Sequence, residues 1–167
     1  MVVERMMKMF CKMRRFKQQL STEECVAIMK REKRGVLSVI GDDGYPYGVP
    51  LDHYYDEASG KLYFHCAKAG HKLDAIRACD KVSYCITGEG RYEDGVEWSL
   101  TFRSVIVFGR MRVLEDEEAS LRLARLLGEK FTDDAAYLDN EIKHAGPRML
   151  MLELTPEHIT GKRVNES

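Results

Sequence analysis

Lys61-Leu62-Tyr63-Phe64-His65-Cys66-Ala67-Lys68-Ala69-Gly70-His71-Lys72 is the stretch on which the reading of this chain turns. An extended, aromatic-rich run ends in small residues and bases and then opens a helix at Gly70-His71. The junction gathers free backbone N–H groups, two lysines and two histidines at a strand-to-helix turn, the kind of place that receives a phosphorylated ligand. The helix is short, because Val82 to Ile86 already reads as the next strand. Before the junction, Asp56-Glu57-Ala58-Ser59-Gly60 turns the chain back into Tyr47 to Tyr55, and Asp43-Gly44 turns that segment back into Val36 to Ile40. Three extended segments joined by short turns favour an antiparallel meander over alternating strands and helices.

Further outward, Ser21 and Glu24 form a capping box, and Cys25, Ile28, Met29 and Glu32 follow on a largely apolar face, so a helix is expected to run from Ser21 until Gly35 ends it. Thr87 to Val96 is glycine-rich and acidic and reads as a surface loop. Trp98 to Met111 alternates as one long strand or two, with Gly109 as a bend or bulge, and Arg110 to Leu114 continues it. A helix begins near Asp116 with Ser120, Ala124, Leu127 and Phe131 on one face, and Asp133 to Ile142 forms a second, short one. Met149 to Leu154 is the last strand, stopped by Pro156. The sum is a mainly β chain, a closed or partly closed antiparallel barrel with peripheral helices. Neither Gly41-Asp42-Asp43-Gly44 nor Gly88-Glu89-Gly90 is a dinucleotide-binding fingerprint.

The 167 residues suit one domain with a real core, expected over 13–164, with an N-terminal extension over 1–12 and a tail over 165–167. Met13 competes with Met1 as the start. With 26 basic and 27 acidic residues the formal charge is -1, which removes nonspecific nucleic-acid binding as the default. No apolar run reaches the length of a membrane span, and Lys8, Lys12, Arg14 and Arg15 interrupt any signal-peptide core, so the expected address is the cytoplasm. Cys11, Cys25, Cys66, Cys79 and Cys85 are odd in number and scattered, as free thiols in a reducing compartment would be.

At the junction two readings stand side by side. As a site, the first-turn N–H groups would take a phosphate, with Lys72 and Lys68 neutralising it and Gly70 letting the backbone approach. As pure structure, Ala67 to Lys72 is a solvated turn anchored by Leu73 and Ile76. His65, Cys66, His71, Cys79 and Cys85 lack the paired spacing of a zinc site, and no metal is expected. Cys66 with His71 has no orienting third group to make a nucleophilic pair.

Met13-Arg14-Arg15-Phe16, Gly35-Val36-Leu37-Ser38-Val39, Gly44-Tyr45-Pro46-Tyr47-Gly48-Val49-Pro50-Leu51, Leu62-Tyr63-Phe64-His65, Gly70-His71-Lys72-Leu73-Asp74 and Ile159-Thr160-Gly161-Lys162 resemble, in order and spacing, the FMN-binding split-barrel family related to pyridoxamine 5'-phosphate oxidase. Within it the resemblance is nearest to the 5-nitroimidazole reductase, or Nim, branch, and it covers Met13 to Val164. The resemblance implies a homodimer of six-stranded antiparallel split β-barrels with FMN in clefts at the subunit interface. The phosphate would fall to Lys68 and Lys72, with His65, Cys66 and Ala67 beside it. Val49, Pro50 and Leu51 would run along the flavin ring.

The partner chain would bring Trp98 to Ser104 to the same cleft, and Trp98 and Phe102 can pack on a ring while Arg103 can pair with a phosphate. Lys162 would close over the cofactor from the C-terminal end. His71 takes the position of the branch's histidine near flavin and substrate, where an imidazole can donate a proton. The implied activity is an FMN-dependent oxidoreductase of the nitroreductase type, passing electrons from NAD(P)H to a small acceptor such as a 5-nitroimidazole. A non-catalytic flavin or small-ligand binder is the alternative, as are relatives that oxidise pyridoxamine phosphate, use F420 or bind haem.

Overall fold

The computed structural model describes residues 10–88, 90–93 and 96–165. Its frame is one antiparallel sheet curled on itself. The strands are β1 (Arg34–Ile40), β2 (Pro46–Asp52), β3 (Tyr54–Asp56), β4 (Lys61–Ala67), β5 (Lys81–Thr87), β6 (Arg91–Glu93), β7 (Val96–Leu114) and β8 (Met149–Asn165). Their spatial order is β2-β1-β5-β7-β8-β4-β3, with β6 added to β7. Residues 46–56 explain the closure. Interrupted only at His53, this stretch pairs with β1 through β2 at one edge and with β4 through β3 at the other. Counting β2 and β3 as one interrupted strand and leaving out the short β6, the frame is the expected six-stranded split barrel with peripheral helices.

Alternation places the core. On β1, Gly35, Leu37 and Val39 turn inward; on β4, Leu62, Phe64 and Cys66 do so. Helix α1 (Thr22–Arg31) contributes Cys25, Ile28 and Met29 and α2 (His71–Ala78) contributes Leu73, Ala75 and Ile76 to the same core. β1 leaves α1 and reaches the α2 end at Gly41, while β5 starts from α2 and returns to Arg31 at Gly88. The two helices therefore sit at opposite ends of the barrel. Helices α3 (Glu117–Glu129) and α4 (Ala135–Ala145) pack together, with α3 over the outer face of β4 and the first part of β8, where Tyr63, Met151 and Leu123 form a second small cluster.

Local signals act as the residues dictate. The capping box is present, Ser21 Oγ accepting from the Glu24 amide at 3.2 Å and Glu24 Oε2 from the Ser21 amide at 3.0 Å. Asp116 and Asp134 cap α3 and α4. Three expectations are corrected, the first being the surface loop over Thr87 to Val96: Arg91–Glu93 within it is strand β6, paired with β7. α1 ends at Arg31, and Gly35 lies inside β1, where the missing side chain gives the Tyr84 ring its place: a Cβ there would stand 2.7 Å from Tyr84 Cζ. Pro156 does not stop the last strand; β8 runs on to Asn165. The register shifts between Phe108 and Gly109, opposite His158 and Pro156, so the residue that cannot donate a ladder hydrogen bond sits at an irregularity. Among the described residues no helix is long and apolar enough to cross a membrane. Met1 to Met9, Glu166 and Ser167 lie outside the described residues, as do Glu89, Asp94 and Gly95 on either side of β6.

Candidate functional site

The β4–α2 junction is built from three exposed residues, Lys68, Ala69 and Gly70, between a strand and a helix that are both anchored in the core. Gly70 is the N-cap of α2 with φ +139°, in a region few side chains tolerate, and a Cβ on it would meet no atom within 4 Å. The turn is thus open to a ligand on the glycine side. The Gly70 carbonyl accepts from Leu73 at 2.9 Å and from Asp74 at 3.3 Å. The amides of His71 and Lys72, one position earlier, precede the first bond of the helix and point out of its N-terminus. The Asp74 carboxylate in this first turn lies 3.5 Å from Arg77. Lys72 is half-buried beside Cys66, whose thiol burial pushes up and the Lys72 charge pulls partly back.

His71 is held by the β1–β2 turn. Its ring meets Tyr47 edge-on with centroids 4.6 Å apart, its Nδ1 lies 3.8 Å from Asp42 Oδ2, and a Cβ on Gly41 would stand 3.2 Å from its Nε2. Asp42 and Tyr47 were not legible as site residues, because nothing in the sequence brings that hairpin turn over the start of α2.

β2 is an edge strand, bonded by β1 on one side, and its other side approaches β4 across the opening of the sheet. Asp52 at one end of β2 lines the same cavity as His65, and Tyr47 at the other meets His71, so Val49, Pro50 and Leu51 lie between these two points. The end of β2 is fixed by the Tyr84 hydroxyl, which donates to the Leu51 carbonyl at 2.7 Å. Parity separates the three β4 residues: Cys66 faces the core, and His65 and Ala67 face outward. Only the Cys66 backbone is available to a ligand. Outward of His65 lies a cavity of about 300 Å³ under α3 and α4.

Phe102, Arg103, Ser104 and Lys162 are not brought to this junction within the chain. Along β8, Met151 faces His65 while Lys162 faces Ser104, a separation of roughly 35 Å of extended strand. They sit at the α1 end, where Arg103 and Arg163 lie directly opposite each other and share the Glu24 carboxylate at 4.0 and 3.0 Å. The Trp98 backbone belongs to β7, and its side chain lies outside the described residues. Among the described residues no three His, Cys, Asp or Glu side chains come together as a metal site.

A curled antiparallel sheet with an open edge, and a basic strand-to-helix turn beside that edge, define a split-barrel protein. Residues 21–163 match the family described as pyridoxamine 5'-phosphate oxidase, and the chain belongs to that family. Three solved structures share the fold. A candidate 5-nitroimidazole antibiotic resistance protein from Bacteroides thetaiotaomicron is 17% identical with a TM-score of 0.72, over 88% of this chain and 87% of that one. A conserved hypothetical protein from Mycobacterium tuberculosis is 17% identical with a TM-score of 0.76, over 90% of each chain. An FAD-binding protein from Mesorhizobium loti is 25% identical with a TM-score of 0.61, over 88% of this chain and 97% of that one. No curated protein matches the sequence.

Proposed function

We propose that this chain is an FMN-dependent oxidoreductase of the Nim type, acting as a homodimer that takes electrons from NAD(P)H and delivers them to a small acceptor such as a nitroaromatic ring. The observation that carries the reading is the convergence of edge strand β2 and the basic β4–α2 turn on one opening of the barrel. The residues fit a flavin mononucleotide. Gly70 opens the turn, two helix-end amides and Lys72 offer charge-assisted bonds to one phosphate, and Lys68 adds a second cation. One such turn suits a single phosphate better than a pyrophosphate, which favours FMN although a structural relative is named for FAD.

A bound flavin supplies hydride and single-electron transfer between donor and acceptor. The chain's own residues position and protonate. Val49, Pro50 and Leu51 would run along the ring; successive residues of the strand turn their backbone groups to opposite sides, the Leu51 carbonyl is held by Tyr84, and Pro50 has only its carbonyl to offer a polar ring edge. His71, braced by Tyr47 and within 4 Å of Asp42, holds a proton on its imidazole for transfer to a reduced acceptor. Arg103, Ser104, Phe102, Trp98 and Lys162 lie at the far end of the same protomer, so their role in this reading belongs to the second subunit's cleft.

The test is a spectrum of the protein purified from cells, followed by anaerobic addition of NADH or NADPH and then a nitroimidazole. The account expects bound flavin that bleaches with the donor and recovers with the acceptor. Bound flavin that responds to neither would make the protein a binding module.

A further inference from the structure

A second compartment opens beside the junction, and its chemistry is opposite. The cavity of about 300 Å³ between the α3–α4 pair and the outer face of β4 is at the small end of ligand pockets, enough for a one- or two-ring molecule. Most of its wall is apolar. Phe131 and Tyr137 border it while remaining 45% and 55% exposed; Lys33 Nζ stands over the Phe131 ring, 5.0 Å from its centroid, and the rest of the two rings stays in water until something covers it. The helices cannot close the space by moving together, because they already touch. A Cβ on Gly128 would stand 2.6 Å from Leu138 Cδ2, and one on Gly146 would stand 2.8 Å from Leu121 Cδ2.

The polar groups at the cavity are His65 from β4, Asp52 from β2, Thr132, and Glu141 from α4, with no lysine or arginine in its lining. Asp52 already accepts two bonds from Arg34, at 2.6 and 3.1 Å, so that guanidinium is spent. The nearest ammonium groups stand outside the lining, Lys33 over the Phe131 ring and Lys130 on the carbonyls of Glu32 and His53, so an anion entering here would lose its water beside two carboxylates with no cation in direct contact. The phosphate end of a ligand is thus directed to the lysines of the β4–α2 turn and away from this space.

We infer that this cavity binds a small aromatic molecule carrying no negative charge, with His65 and Glu141 meeting its polar atoms and Phe131 and Tyr137 covering its rings. An uncharged ring fits, a protonated amine on it fits better, and a phosphate ester such as pyridoxamine 5'-phosphate is rejected. That the occupant is the electron acceptor rests on the flavin reading above; the binding itself does not.

A matched series on one ring system isolates the charge: indole, tryptamine as the cation and indole-3-acetate as the anion. Equilibrium binding to the full chain is measured by ligand-detected NMR and competition, with and without added FMN. The expected order is tryptamine, then indole, with indole-3-acetate at least about tenfold weaker than tryptamine. Ala145→Leu, which fills the space, lowers indole affinity about tenfold or more. Should that variant fold poorly, the exposed Glu141→Gln is decisive, since it narrows the tryptamine preference without emptying the cavity. Equal affinity for all three probes, no saturable binding, or affinities that ignore both substitutions would overturn the inference. Loss of FMN uptake with the indole series still binding would sink the flavin reading and leave this one standing.

Discussion

At the scale of single residues, the structure turns on His53, the point where one strand leaves the β1 edge and joins the β4 edge. Its ring is fully buried, with Nε2 2.8 Å from the Met29 carbonyl and Nδ1 2.9 Å from the Tyr84 hydroxyl. A carbonyl only accepts, so Nε2 carries the proton and Nδ1 is left to accept. Lys130 Nζ donates to the carbonyls of Glu32 and His53, at 2.6 and 2.9 Å, and its nearby charge adds to burial in pushing the His53 pKa down to about 4. A base with a depressed folded pKa binds its proton more readily when unfolded. The His53 contribution is therefore complete above pH 6.5 and is lost as pH falls toward 4, by about 3 kcal/mol in all. Urea titrations across this window should show that slope, and His53→Gln should flatten it. Tyr84→Phe removes the single hydroxyl proton that the Leu51 carbonyl and His53 Nδ1 share between them, and should cost about 1–3 kcal/mol, read from the urea midpoint. The carboxyl of Glu153 behaves differently: burial raises its pKa, but the hydrogen bonds from Arg112 and Lys61 prevail and hold it below the usual range. Its contribution is present at neutral pH and is lost only in acid, as pH falls through that depressed value.

At the scale of elements, what the sequence disclosed is what local rules govern. Hairpin turns, the capping box, the Asp116 N-cap and the strand-to-helix change at Gly70 are each written in a few adjacent residues. The continuation of β8 past Pro156 is not, because it depends on Gly109 of a distant strand. A Cβ at Gly109 would stand 2.2 Å from the Thr155 carbonyl. Gly109→Ala should lower the melting temperature by on the order of 5 °C or more through a clash against fixed backbone; an unchanged value would remove Gly109 from its role at the register shift. The site was legible to a similar degree. Lys68, Gly70, His71 and Lys72 announced themselves by position, whereas Asp42 and Tyr47 joined His71 only through the closure of the barrel. The cavity under α3 and α4 was hidden for another reason: Phe131 joins Ser120, Ala124 and Leu127 on one helix face, and no local pattern shows that Tyr137 of the next helix borders the same space.

At the scale of the whole molecule, α3 and α4 cover one part of the outer sheet surface and leave another part bare. Val36 is 42% and Ile40 49% exposed on β1, beside Cys85 of β5 and Ile106 of β7 in register. This face is where a second subunit would lie in the proposed homodimer. Val36→Lys should then shift the mass measured by light scattering from two chains toward one, with the protein still folded. The account as a whole rests on the basic turn between β4 and α2 holding a flavin phosphate. The most direct measurement is a titration of flavin-free protein with FMN, followed by quenching of flavin fluorescence, in wild type and Lys72→Ala. The account predicts saturable binding of one FMN per chain that weakens about tenfold in the variant, while the melting temperature of the free protein is unchanged. An affinity that does not move, or a wild-type chain that takes up no FMN, would contradict it.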